Sequence, residues 1–305
     1  GKSNFIKAVG FLQSFVLNEN FIKSIDLNEY KFQLVSKNEF PISFEIEFLY
    51  KDKYYIYSTE ISEIISEKLR ISNLGESEDI LIFERNGNKI KSKHILNESS
   101  SVKLLEMNPQ SSLLPLNKKF PILSNSGSNH AFEWFSNQLE IVTMNSIIPM
   151  FIEVMSRKSE LVNFANIIFR SINIGIDTIE VNNTPFDKWI RDSKNRQLLE
   201  NRMEQEVSNR EKTVSIIENR KNLLNVSMKN GMQVVQEFLF EQLGQSGYKK
   251  KMKISSQSDG TIRILTLIPA LYDAIKNQKV VLIDEIENSI HPNLIFALIK
   301  YYSQN

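Results

Sequence analysis

Cysteine is absent from the 305 residues, which excludes disulfides and thiolate metal sites. Histidine is scarce, at three. His94 and His130 have no partner at metal-ligand spacing and read as surface or structural side chains. A dominant charge sign is also missing: Lys plus Arg total 37 and Asp plus Glu 36, a net charge of +1. No global field therefore marks a nucleic-acid or membrane binder. No apolar run approaches the ~20 residues that span a bilayer, and there is no signal peptide. No membrane partner is expected, and a cytoplasmic location is the default. Repeats and low-complexity tracts are not evident. What remains is an ordinary globular balance, 41% hydrophobic and 24% charged.

Phe5, Ile6, Val9, Leu12 and Val16 recur at helical spacing, so an amphipathic helix is predicted directly after Gly1-Lys2-Ser3. From residue 30 to 107 the pattern changes. Ile42, Phe44, Ile46 and Phe48 alternate with Ser43, Glu45 and Glu47, as in a half-buried strand. Lys51-Asp52-Lys53 and Asn86-Gly87-Asn88 read as hairpin turns. Residues 109–128, with three Pro and seven Ser or Asn, read as a connector. Helical spacing returns over 130–172. From 195 to about 229, Leu199, Met203, Val207, Val214, Ile217, Leu224 and Met228 lie three, four or seven apart, predicting a long helix, either a short coiled-coil arm or a surface helix. Residues 233–242 fit helix or strand, while Gly244-Gln245-Ser246-Gly247 before Lys249–Lys253 favours a hairpin. That lysine run could touch nucleic-acid phosphates, although a solvated hairpin is the simpler reading.

Three short segments carry chemistry. Gly1-Lys2-Ser3 before a helix matches the end of a phosphate-binding loop: a lysine for the β and γ phosphates, a hydroxyl for Mg²⁺, and N–H groups at a helix start. Ser258-Asp259-Gly260-Thr261 precedes an apolar helix, giving a hydroxyl and a positive dipole end suited to a γ-phosphate, or simply an N-cap turn. Val280-Val281-Leu282-Ile283-Asp284-Glu285 has the form of a buried strand ending in two acids: Asp284 to hold Mg²⁺ through water, Glu285 to act as general base.

The order is informative: GKS and a helix, a long insertion, S-x-G-T before a helix, then four apolar residues and Asp-Glu about twenty residues on. Together with Asp284-Glu285-Ile286-Glu287-Asn288-Ser289-Ile290-His291-Pro292, the sequence resembles the AAA-15/AAA-21 group of ABC-like, SMC-related ATPases, which includes abortive-infection and OLD-like members. Further matches are Leu81–Asn88, Ile174–Val181 and Phe238–Glu241, so the resemblance covers nearly the whole chain.

That resemblance implies an α/β P-loop ATPase head with a mixed sheet, an inserted antiparallel β lobe and a helical lobe. The expected division is 1–29 for the loop end and first helix, 30–107 for the β lobe, 108–232 for the helical insertion and 233–305 for the signature and acidic strand. The chain reads as a piece of a longer protein, lacking the front of the phosphate loop and the strand bearing a switch histidine. The implied cofactors are ATP and Mg²⁺. Gly1, Lys2, Ser3 and Asn4 bind nucleotide, Ser3 and Asp284 the metal, and Glu285 is catalytic. Ser258, Asp259, Gly260 and Thr261 close over nucleotide held by another subunit; Asn288, Ser289 and His291 fall in a subunit-contact loop. The implied partners are a second copy of the chain, a toxin or nuclease, and DNA, in phage defence or a DNA-linked process. The competing expectation is a regulatory scaffold that binds ATP with little turnover. A transporter ATPase fits less well, because the signature is S-D-G-T and the insertion is long.

Overall fold

The alternation that begins at Ile42 is a five-stranded antiparallel meander: β1 (Ile42–Tyr50), β2 (Lys53–Ile61), β3 (Ile65–Ser72), β4 (Ile80–Asn86) and β5 (Lys89–Lys91), in that order. The computed structural model describes residues 2–31, 40–72, 79–143, 154–155, 158–191, 214–218, 222–229 and 232–304. They belong to two compact units, Gly1–Ile141 and Val142–Asn305. Both predicted hairpins of the first unit are present. Lys51 and Asp52 take positive φ, 50° and 59°, the two-residue turn whose twist suits the flanking strands. Gly87, φ 60°, turns the chain between β4 and β5.

One face of this sheet carries Phe48, Tyr55, Tyr57, Leu69 and Phe83, each 4% exposed or less. Helix α1 (Lys2–Leu17) covers part of it with Phe11, Leu12, Phe15 and Val16, and Phe11 stacks on Phe44 at 5.7 Å between centroids. Burying each such side chain contributes ~1.5–3 kcal/mol. His130 is structural, as its lack of partners suggested: its Nδ1 lies 2.8 Å from the Tyr55 hydroxyl. Burial pushes the Tyr55 phenol up to about 12 and the His130 imidazole down, so both shifts favour the neutral forms of the pair.

Within that core sits an ion pair without contact to water. Arg85 on β4 and Glu67 on β3 have fully buried side chains, with Nη1 to Oε2 at 3.1 Å. Glu67 also accepts from the Tyr57 hydroxyl at 2.8 Å, the Ser112 hydroxyl at 2.7 Å and the Leu113 N–H at 2.8 Å. Arg85 donates further to the carbonyls of Gly87, Ser111 and Pro109. The lone pairs and donors that burial would leave orphaned are thus engaged, which a buried pair requires.

The connector expected over 109–128 is instead packed helix. After α2 (Glu98–Met107), α3 (Leu113–Lys119) buries Leu113, Leu114, Pro115, Leu116 and Asn117, and α4 (Ser126–Glu133) follows. The composition misleads because caps and turns use the same residues. Ser112 and Asn125 are N-caps, and Pro115 lies in the first turn of α3, where no N–H is needed.

The second unit starts as β6 (Leu139–Val142) ends, and its core is helix against sheet. Its sheet runs β11 (Lys249–Lys253), β10 (Met232–Leu243), β9 (Asn222–Lys229), β8 (Val214–Glu218), with β7 (Ile176–Pro185) on the other edge of β10. Helix α5 (Ser159–Ile172) buries Phe164, Ile168 and Phe169 against this core, beside Ile179 of β7 and Phe238 and Phe240 of β10. A short α6 (Phe186–Arg191) follows β7. The chain is therefore mixed α/β, with helices packed on antiparallel sheet.

The described part of 108–232 is not uniformly helical, because β6 to β9 lie within it. The long helix expected from 195 to 229 is overturned where the structure describes it: Val214–Glu218 and Asn222–Lys229 are strands. Leu199, Met203 and Val207 lie outside the described residues. Leu224 and Met228 are spaced for a helix, but Val226 between them, 1% exposed, fits only the period of two, and it pairs with Val235 of β10. The ambiguous stretch 233–242 is strand, and the hairpin to β11 is present. Three of its lysines meet carboxylates: Lys249 with Asp177 and Glu241, Lys251 with Glu180, Lys253 with Glu237, at 2.6 to 3.0 Å.

Arg85→Ala is predicted to destabilise the first unit by about 3–5 kcal/mol, because it strands a buried carboxylate. The double variant Glu67→Leu with Arg85→Met should lose less than either single truncation. Urea unfolding followed by the fluorescence of Trp134, 5% exposed in the same core, measures both. A stable single variant would rule out this dependence.

Candidate functional site

The residues expected to handle phosphate fall in both units. In the first, Lys2, Ser3 and Asn4 form the opening turn of α1, with Lys2 and Asn4 exposed and Ser3 half-buried. N–H groups in a helix's first turn have no intrahelical acceptor, and the dipole there is positive. Gly1 lies outside the described residues.

In the second unit, the predicted helix after the S-x-G-T segment is α7 (Asp259–Lys276), 18 residues long. Ser258 is its N-cap in extended conformation: its Oγ accepts the Thr261 N–H at 3.1 Å and lies 2.9 Å from the Thr261 hydroxyl. Ser258 and Asp259 are exposed, Gly260 half-buried and Thr261 buried. Thr261 thus braces the cap from inside, and Ser258 presents it to solvent.

Strand β12 (Val280–Ile283) leads into the two acids. It was expected to be fully buried; Val280 is instead 44% exposed and the other three are half-buried. Its inner residues Val281 and Ile283 pack on the core that α7 fills. Asp284 is half-buried and its N–H donates to the Val142 carbonyl at 2.9 Å. Glu285 is exposed and takes φ 48°, a left-handed conformation unusual for a residue with a Cβ. The chain then coils tightly. The Asn288 N–H bonds the Glu285 carbonyl at 3.0 Å, Ser289 takes φ 62°, and Ile290, 4% exposed, anchors the turn. His291 and Ser289 are exposed and Asn288 is half-buried. His291 starts α8 (Pro292–Gln304): its Nδ1 accepts the Asn293 N–H at 3.3 Å, and Pro292 occupies the first helical position.

Two contacts join the start of α7 to this acidic turn. A Cβ built on Gly260 would lie 2.5 Å from the Ser289 carbonyl oxygen, so the two loops touch through backbone and only glycine fits. One turn along the helix, Arg263 Nη2 donates to the Asp284 carbonyl at 3.2 Å. The second unit therefore joins the start of α7, which carries Ser258 and Gly260, to the turn that carries Asp284, Glu285 and Ser289. Sequence reading assigned Arg263 no role. Its signal was the i, i+3 spacing from Gly260, which puts both on one helix face.

In the second unit the Asp284 carboxylate, at a strand end, is the kind of oxygen ligand that suits a hard cation. Among the described residues no cluster of three His, Asp or Glu could hold a metal alone. Mg²⁺ at Asp284 would accordingly keep mostly water and phosphate ligands, its usual habit.

A family model described as "AAA domain, putative AbiEii toxin, Type IV TA system" matches residues 1–304. No curated protein matches the chain. The family is one of AAA-type nucleotide-binding ATPase domains and brings a toxin–antitoxin context. Among the described residues no helix is long and apolar enough to cross a membrane.

Gly260→Ala should separate the two loops, since the obstructing atom is a main-chain oxygen. A loss of about 1–3 kcal/mol in stability is expected for such an overpacked methyl, with ATPase activity falling further than stability. Thermal melting and steady-state turnover, measured on the same preparation, provide the check; an alanine variant with parental values for both would refute the tight contact.

Proposed function

The chain belongs to this AAA-domain family, and on that premise we propose that it is an ABC-like, SMC-type ATPase head in which MgATP closes a head-to-tail homodimer and hydrolysis reopens it. The observation that carries the reading is the junction in the second unit: an exposed Ser258 at the N-terminus of α7, held against the turn that presents an exposed Glu285.

Each residue contributes a distinct chemistry. The Lys2 ammonium meets phosphate oxygens, and the first turn of α1 supplies N–H donors. Ser3 and Asp284 offer oxygens to Mg²⁺, Asp284 through water. When bound, Mg²⁺ would supply positive charge to offset that of the phosphates. Glu285 accepts the proton of the attacking water. Ser258, with the N–H groups of Asp259 and Gly260, reaches the γ-phosphate of nucleotide held by the other subunit, and Thr261 stiffens that cap. Asn288, Ser289 and His291 face the partner copy. In the cell this cycle would serve phage defence of the abortive-infection kind, coupled to a toxin or nuclease, or a related DNA-linked process. The carboxylate partners of Lys249, Lys251 and Lys253 make β11 a poor candidate for DNA contact.

Glu285→Gln in the complete protein should retain ATP affinity, lower turnover by about 10²–10⁴-fold and accumulate an ATP-bound dimer. Undiminished turnover would remove Glu285 from the role of base. ATP binding without turnover in the parent itself would favour the scaffold.

Composition of the site is tested by mixing. Lys2→Ala and Ser258→Arg should each be inactive as homodimers. After subunit exchange, a trans arrangement leaves one site with both residues intact, so ATPase activity returns in part. In a cis arrangement every site keeps one defect. Activity confined to heterodimers with both substitutions on one chain would overturn the trans reading.

A further inference from the structure

We propose that Arg263 is a positioning residue for Glu285, fixing the peptide from which the base projects and tying it to the helix that carries Ser258. The inference rests on the reading of Glu285 as general base.

Arg263 carries an energetic cost. The Arg263 side chain is half-buried, and its Nε is buried with no hydrogen-bond partner among the described residues. An unsatisfied buried donor of this kind is destabilising, because its water is lost and nothing replaces it. An apolar side chain of the same length would avoid that cost, so packing alone does not explain an arginine. Burial pushes the guanidinium's pKa down, against the upward pull of the Asp284 and Glu285 carboxylates.

The bond Arg263 does make is informative. Its acceptor, the Asp284 carbonyl, belongs to the peptide unit that also contains the Glu285 nitrogen. A peptide unit is planar, so pinning the oxygen fixes the plane about which φ of Glu285 is set. That φ is 48°, and a non-glycine residue stays in this region only when its surroundings over-determine it. Arg263 supplies that constraint at the start of the turn, and the Gly260–Ser289 contact supplies one at its end. The whole turn is therefore referenced to α7. In a head-to-tail dimer, Ser258 and Glu285 of one chain serve different nucleotides. A displacement of α7 by nucleotide at Ser258 then reaches the base acting on the other nucleotide, and Arg263 is the link.

The experiment uses the complete protein with Arg263→Met, which keeps the apolar stem, and Arg263→Ala, which leaves room for an added cation. Arg263→Met should melt near the parent temperature, bind a fluorescent ATP analogue within about twofold, and lose about tenfold or more in turnover at saturating ATP, the signature of a group that acts on the chemical step. Guanidinium ion at tens of millimolar should restore part of the Arg263→Ala loss, and sodium chloride at the same concentration should not. A folded Arg263→Met with turnover within about twofold of the parent overturns the proposal. So does a loss that appears wholly as weaker ATP binding, or a folded Arg263→Ala that guanidinium does not rescue. Glu285→Gln is run in parallel. Full activity there sinks the base assignment itself, whereas an inactive Glu285→Gln beside a fully active Arg263→Met removes only the role of Arg263.

Discussion

The first unit depends on a pair of opposite charges sealed from water. Glu67 and Arg85 would each be too costly to bury alone, and together they are tolerable only because tyrosine, serine and main-chain groups complete their hydrogen bonds. The consequence is structural specificity. Glu67 accepts from β2 and from the first turn of α3, and Arg85 reaches the carbonyls of Pro109 and Ser111. The ion pair thus dictates where the chain after α2 must run. Apolar packing would have accepted many arrangements; the fork of a guanidinium and two carboxylate oxygens accepts few.

The second unit obtains its organisation differently. There a broad apolar core fixes α5, α7 and the sheet, and the chemically interesting groups lie where α7 begins and β12 ends. Placement at element ends is economical, since a helix N-terminus provides unspent N–H donors and a strand end provides access. Exposed acids and hydroxyls are then carried on rigid neighbours. The Ser258 cap, the Ile290 anchor and the Pro292 helix start each immobilise one segment of the site.

Much of this could be read from residues alone, and the exceptions have a common cause. Hairpins at Lys51-Asp52 and Gly87, the opening helix and the cap at Ser258 are local in sequence, so local patterns reveal them. The acidic strand end was legible for the same reason. Residues 109–128 were misread because Ser, Asn and Pro serve caps and connectors alike; what distinguishes the two is burial by Arg85 and the sheet, a long-range fact. At 222–229 two periodicities overlap, and only pairing with β10 chooses between them. The part played by Arg263 needed the Asp284 carbonyl beside it, 21 residues away in sequence.

The contact between Gly260 and the Ser289 carbonyl also bears on how such a site can evolve. Most steric conflicts can be relieved by a compensating change in the neighbour. Here the obstructing oxygen belongs to the main chain and is present whatever residue occupies position 289. No second-site substitution at 289 can make room for a side chain at 260, so glycine there has no epistatic escape. Position 289 has more latitude: among the described residues its hydroxyl bonds the neighbouring Asn288, at 2.9 Å, and its φ of 62° admits residues that tolerate the left-handed region. Lineages descending from this chain can drift on one side of the contact and are frozen on the other.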